Sequence, residues 1–339
     1  MIHSLARSPH ARLAAGHLAT GLGPLATGLG PLAVGLGVLA LALGGCAAPE
    51  DRGPIAERPV QVVATTNIVA DLARQVGGDR VEVTALMGPG VDPHLYRASE
   101  GDVGRMTGAD LIAYTGLDLE GKIGEVLEQV EGRGIATVPV AEGVPEDSLA
   151  ASATYAGAYD PHVWMSVRLW RSAASELGQA LTAVDPTHAA YYADRVGATL
   201  ARLDSLDAYV RSRVGELAPE ERVLVTAHDA FGYFGRAYGF EVHGLQGIST
   251  ATEAGTRDVQ DLAAFVAERR VPALFVESSV SPKAIEAVQA AVRARGFDVA
   301  IGGNLFSDAL GADGTPEGTY VGMIRHNVDT IVDALAGDA

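Results

Sequence analysis

Two hydrophobic periods alternate along the chain from Pro59 onward. Val60-Gln61-Val62-Val63-Ala64 is a short β-branched run, and the apolar positions from Ile68 to Val76 then recur at helical spacing. Val81-Glu82-Val83-Thr84-Ala85 predicts a second strand, Asp110 to Thr115 a third, and Ile123 to Val130 a helix. A similar series starts at Arg222, with a strand over 223–226, a helix over 229–238, a strand near 240–243 and a helix over 256–269. It continues through a strand over 273–276, a helix over 282–294, a strand over 298–301 and a closing helix over 318–335. Strands separated by helices argue for parallel sheets covered on both faces. The expectation is an α/β fold with two similar lobes.

Between the two series the period is purely helical. Pro186 suits a first helical turn, and Val196, Leu200, Leu203, Leu206, Val210, Val214 and Leu217 recur at steps of three or four. At ~1.5 Å per residue, 186–217 predicts a rod of roughly 45–50 Å that joins the lobes without a flexible hinge. The expected layout is a leader over 1–45, a tether over 46–58, a first lobe over 59–184, a connecting helix over 185–218 and a second lobe over 219–339.

The N-terminal stretch has a different pattern. Its first 45 residues hold Arg7, Arg12 and no acid, and the segment from Leu13 to Gly45 contains no Asp, Glu, Lys or Arg, which is the layout of an export signal. It ends Leu43-Gly44-Gly45-Cys46. The apolar run is longer than the ~7–15 residues of an ordinary signal core. It contains a tandem seven-residue repeat, residues 19–25 and 26–32, which generates glycine patterns that look like dinucleotide fingerprints. None follows a strand or opens a βαβ unit, so the phosphate-binding mechanism behind such a motif is missing.

Composition narrows the chemistry. The 339 residues are 48% hydrophobic and 20% charged, the balance of a packed globular protein. Lys and Arg number 25 against 42 Asp and Glu, a net charge of −17, which argues against nucleic-acid binding. Removing the leader takes the balance to −19. Cys46 is the one cysteine, so an intramolecular disulfide framework and a cysteine-based zinc site are excluded, and any metal must be held by His and carboxylate.

Three histidines stand in contexts suited to that task. His94 and His162 each end an Asp-Pro-His tripeptide, 92–94 and 160–162, set 68 residues apart. Each proline fixes its own φ and holds the preceding Asp extended, so the His leaves a stiff turn in a defined direction. His228 follows the strand over 223–226 and stands at its carboxyl end, where open α/β sheets place their ligands. Asp308 and Glu277 both follow strands of the second lobe, and spacing alone does not choose between them as a fourth ligand. Three imidazoles and a carboxylate suit Zn²⁺ or Mn²⁺, with Fe²⁺ a weaker fit, and disfavour Ca²⁺ and Mg²⁺, which want oxygen shells. His188, His243 and His326 read as structural, and the sequence contains no nucleophile elbow, P-loop or HExxH helix.

Leu-x-Gly-Cys at the end of the leader resembles the lipobox of bacterial lipoproteins. Together with the opening over 63–71, both Asp-Pro-His segments, the segment Thr226 to Tyr233 and the ending from Phe306 to Tyr320, it makes the whole mature chain resemble the metal-binding solute-binding proteins of bacterial zinc/manganese ABC importers. The resemblance implies two α/β lobes bridged by one rigid helix, with a single divalent ion at their interface. It implies His94, His162, His228 and Asp308 as ligands. Glu277 falls with Asn67, Asp92 and Asp160 as cleft wall or support, and Cys46 becomes the lipidation site. A His at position 228 matches members that take zinc, or zinc and manganese. Residues 141–159 lack the His-rich loop of high-throughput zinc members, which leaves both metals open.

The resemblance further implies a monomer on the outer face of the cell membrane or in the periplasm, working with an ABC permease and its cytoplasmic ATPase and without enzymatic activity. The readings set against it are a secreted zinc hydrolase, with Asp229 or Glu277 as general base, and a surface adhesin as a secondary role.

Overall fold

β1 (Val60–Ala64), β2 (Val81–Ala85), β3 (Leu111–Tyr114) and β4 (Ala136–Pro139) form the first sheet, in the order β2-β1-β3-β4 and with every pairing parallel. They belong to a computed structural model that describes residues 52–152 and 157–337. The leader, its repeat and Cys46 lie outside those residues. The crossover helices are α1 (Asn67–Gly77), α2 (Glu100–Thr107) and α3 (Gly124–Glu131). Thr66 starts α1 by accepting from the Val69 amide, and Ser99 starts α2 through a reciprocal capping box with Asp102. The central strands β1 and β3 are nearly all buried, as a parallel sheet covered on both faces requires, while the edge strands β2 and β4 are partly exposed.

The second lobe contains β5 (Val223–His228), β6 (Glu241–Gln246), β7 (Ala273–Glu277) and β8 (Ala300–Leu305), with α6 (Gly232–Tyr238), α7 (Thr256–Arg269) and α8 (Lys283–Ala294). Its ladders form two parallel pairs, β5-β6 and β7-β8, with β5 lying beside β7. A register shift at Leu274/Phe275 bends the second pair. The final helix, α9 (Tyr320–Ala336), packs back against β8 and the middle of the molecule.

One long helix joins the lobes, as its sequence pattern predicts. α5 (Ala189–Val214) covers 26 residues, about 39 Å at 1.5 Å per residue, and a short 3₁₀ turn over Pro186–His188 precedes it. The rod is therefore shorter than the 186–217 pattern suggests, because Gly215 ends it before Leu217. Antiparallel to it runs α4 (Val167–Val184), whose buried face is Val167, Trp170, Ala173, Ala174, Leu177 and Leu181. Asp185 closes the corner: its carboxylate meets Arg80, His188 and the Tyr192 hydroxyl.

One hydrophobic cluster runs from β1 and α1 through α4 and α5 into α6 and α9, while smaller clusters sit under α7 and α8 and under α2 and α3. The lobes share this core, and the chain from Arg52 onward forms one compact unit. Swinging the lobes wide apart would expose apolar surface worth roughly 25 cal/mol per Å², so relative motion is confined to tilts and loops.

Candidate metal centre

The site lies where both lobes end their strands. In the first lobe the switch point between β1 and β3, the usual ligand crevice, is filled by the protein's own Glu120. Its buried carboxylate accepts from the Thr65 hydroxyl at 2.7 Å and from the amides of Thr115 and Gly116, and burial pushes its pKa up. The cleft chemistry is supplied instead by the segments that carry the two Asp-Pro-His tripeptides.

Both tripeptides fold the same way. Asp92 Oδ1 accepts the His94 amide at 2.9 Å, and Asp160 Oδ1 accepts the His162 amide at 2.9 Å. This Asx turn, with the stiff proline inside it, aims each histidine. Beyond the turn the copies diverge. Asp160 Oδ1 also lies 2.7 Å from His162 Nδ1, and the Tyr233 hydroxyl donates to the Asp160 carbonyl. Among the described residues no carboxylate is paired with His94 Nδ1. The second oxygen of Asp92 instead accepts from the Thr250 hydroxyl of the other lobe at 2.6 Å.

His228 is the last residue of β5 rather than the first after it, and α6 starts only at Gly232. The strand runs longer than its apolar pattern because β6 pairs with it as far as Gln246, opposite His228. A Cβ on Gly244 would meet the backbone of His228 and Asp229. A glycine is needed there for β6 to approach. The Glu277 carboxylate grips His228 twice: Oε1 accepts its amide at 2.8 Å, and Oε2 lies 2.6 Å from ring Nδ1. Asp308 follows β8 by three residues.

These four side chains converge. His94 Nε2 is 3.3 Å from His162 Nε2, Asp308 Oδ1 is 3.4 Å from His162 Nε2, and Asp308 Oδ2 is 3.3 Å from His228 Nε2. One candidate ligand atom from each residue lies within 4.8 Å of the others. Ligand atoms at the corners of a tetrahedron with ~2.0–2.1 Å metal bonds stand about 3.3–3.4 Å apart, close to the three shorter distances. His162, His228 and Asp308 are fully buried and His94 is 6% exposed. His228 Nε2 and Asp308 Oδ1 have no hydrogen-bond partner, which in a dry interior is costly unless a cation sits between them. A metal ion fits this donor set.

Electrostatics sort the three imidazoles. Burial opposes charge on His162, but the Asp160 and Asp308 carboxylates outweigh it and raise its pKa to about 9. At His228 burial is likewise outweighed by Glu277 and Asp308, and the pKa rises well above its ordinary value. Burial dominates at His94, whose pKa drops to about 4. Asp308 stays ionised despite burial, held far below the usual carboxylate range by His228 and His162.

The structure places the other sequence candidates in supporting positions. Glu277 touches His228 and not the centre. Asn67, the first residue of α1, clamps Leu310 with both ends of its amide, accepting the Leu310 amide at 2.9 Å and donating to its carbonyl at 3.3 Å. Trp164 Nε1 donates to the Ser307 carbonyl at 2.8 Å, so the Asp308 loop is tied to the first lobe at two points. His243 lies inside β6, not at its end, paired with Glu241 and stacked on Phe265; His188 and His326 contact Asp185 and the Asn304 carbonyl. Thr250 was not signalled, because a threonine in a polar loop has no sequence feature that distinguishes it.

Two parallel α/β lobes sharing a rigid helical core and closing over a buried three-histidine, one-aspartate site define a two-lobed metal-binding protein. Residues 62–334 match the family described as zinc-uptake complex component A, periplasmic, and the chain belongs to that family. It is 51% identical over 275 residues to the zinc-binding protein TroA of Treponema pallidum, spanning 81% of this chain and 88% of that protein. It is 46% identical over 291 residues to the manganese-binding lipoprotein MntA of Bacillus subtilis, spanning 86% of this chain and 94% of that one. The solved structure of the Treponema pallidum periplasmic zinc-binding protein TroA superposes with a TM-score of 0.78 at 50% identity, covering 82% of this chain and 99% of the other.

Proposed function

We propose that this protein captures one divalent transition-metal ion, zinc or manganese, outside the cytoplasm and delivers it to an ABC permease driven by a cytoplasmic ATPase. His94, His162, His228 and Asp308 are the ligands. The observation that carries the reading is the convergence of four buried donor atoms within 4.8 Å of one another, two of them otherwise unpartnered. Each of His162 and His228 has its Nδ1 against a carboxylate, which directs the Nε2 lone pair at the ion and raises ring basicity. Because a metal takes only neutral imidazoles, binding releases protons and affinity falls as pH drops.

The same reading includes export by the leader, lipidation at Cys46, a tether over 46–58 and a monomeric two-lobed binder on the membrane's outer face. The lipobox resemblance and the relatives described as lipoproteins support it. A hydrolase reading has no support in the family. One of its base candidates is also engaged, since both oxygens of Glu277 face His228.

Native mass spectrometry of the purified protein reconstituted with zinc or manganese tests the proposal. One ion per chain is expected, retained by Glu277→Gln with weakened affinity and lost from Asp308→Ala. Retention of the ion by Asp308→Ala, or loss of it only from Glu277→Gln, would overturn the ligand assignment.

A further inference from the structure

His94, in the first lobe, is braced from the second lobe through the side chain of Asp92. Asp92 uses one carboxylate oxygen to accept the His94 amide and the other to accept the Thr250 hydroxyl, at 2.9 and 2.6 Å. Thr250 lies in the loop between β6 and α7, and it is 7% exposed. A short hydrogen bond to a carboxyl group in such a sheltered place is among the stronger ones a protein makes. The chain Thr250–Asp92–His94 therefore runs from the second lobe, through one side chain, to the backbone of a first-lobe ligand.

The surroundings of His94 make that chain consequential. His162 is fixed by Asp160 and by Tyr233 beneath it, and His228 is fixed by Glu277. Among the described residues His94 has no such carboxylate, its neighbour Leu95 is 50% exposed, and its outer side borders a cavity of about 310 Å³. That cavity is also lined by Leu117, Asp118 and Pro161 of the first lobe and by Ile248 and Ser249, the residues just before Thr250. Leu117 and Asp118 hold left-handed backbone, φ 54° and 62°, which fixes the far wall as a rigid turn. The open space beside His94 is thus bounded on one side by the loop that holds Asp92.

We infer that Thr250 is a positioning residue: its hydroxyl, through Asp92, holds His94 on the bound metal when the lobes are together, and breaking that bond is the step that frees the ion. This rests on the ligand reading above and extends it to the order of release. The ring with room to move leaves first, while His162, His228 and Asp308 keep their places in the core. Opening needs no wide lobe swing, only separation of the 247–255 loop from the 86–99 segment by enough to break one hydrogen bond. Because the latch acts after capture, its loss shows in dissociation, not in association.

The test compares wild type, Thr250→Val, Thr250→Ser and His94→Ala, each loaded with zinc, by stopped-flow dissociation into a chelator, with association rates and metal-free melting temperatures recorded alongside. Thr250→Val keeps the side-chain shape without the donor. It is expected to raise the dissociation rate about tenfold, the lower end of effects for groups that orient a metal ligand, with the association rate and the metal-free melting temperature unchanged. Thr250→Ser is expected to restore the wild-type rate. A Thr250→Val dissociation rate within twofold of wild type, a serine variant that fails to rescue, or a loss confined to the melting temperature would overturn the latch. Those outcomes leave the ligand reading standing if wild type binds one ion and His94→Ala releases it faster. If His94→Ala dissociates like wild type, it is the ligand reading that fails.

Discussion

The two Asp-Pro-His segments are the same three residues folded into the same turn, yet they end in different environments. Around His162 the aspartate braces its own histidine, and the imidazole is packed against Trp164 at a ring distance of 5.2 Å, inside the core that runs through α4 and α5. Around His94 the aspartate braces only the backbone and reaches across the cleft to Thr250. The tripeptide therefore sets the direction in which each histidine leaves the chain, and tertiary neighbours set how firmly it is held. Asn67–Leu310 and Trp164–Ser307 tie the Asp308 loop to the first lobe, whereas among the described residues the His94 side is joined across the lobes by the Thr250–Asp92 hydrogen bond, beside a cavity.

The largest effect that can break this comparison is at the carboxylates bracing the two rigid histidines. Glu277→Gln and Asp160→Asn each remove a charge that orients a buried imidazole, and each is expected to weaken metal binding about 10–100-fold by calorimetry. Asp92→Asn keeps an oxygen for the His94 amide and removes only charge, so it is expected to cost less than either. If Asp92→Asn proves the most damaging of the three, the division into a firm and a loose corner is wrong.

A smaller effect probes the firm side through stability. Gly178 of α4 faces α5 so closely that an added Cβ would lie 2.4 Å from Val196 Cγ2. Gly178→Ala is expected to lower stability by roughly 1–3 kcal/mol, as overpacking in a filled interior does, read as a reduced urea midpoint with an unchanged slope. Metal dissociation should be affected far less than by Thr250→Val, because the helix pair is remote from the latch.

The smallest effect concerns the corner between those helices. Burial opposes ionisation of Asp185, but His188, Tyr192 and Arg80 overcome it and hold the carboxyl below its ordinary pKa. A carboxyl depressed in the folded state contributes stability that is full above its unfolded pKa near ~3.9 and lost as pH falls through its lower folded value. Asp185→Asn is expected to lower stability at neutral pH and flatten the acid limb below about pH 4. An acid limb as steep as that of wild type would show that Asp185 does not anchor the corner.

Much of this was legible in the sequence, and the failures have physical causes. The strands β1 and β2 and the helix α7 fall where periodicity places them, since β-branched runs and amphipathic spacing act locally. α4 lies outside the predicted elements although Val167, Trp170, Ala173, Ala174, Leu177 and Leu181 carry a helical stripe. β5 ended late because pairing with β6, a non-local contact, extends it through His228. Glu277 and Asp308 stood equal in sequence because β7 and β8 are neighbours whose carboxyl ends both open on the cleft. Only the register and the following loop decide that one carboxylate faces the imidazole's back and the other its front.

The central claim is tested most directly by anomalous diffraction at the zinc edge from crystals of the zinc-loaded protein. A single peak is expected within about 2.0–2.2 Å of Nε2 of His94, His162 and His228 and of an Asp308 oxygen. A peak outside this cluster, or one bonded to Glu277 in place of Asp308, would contradict it.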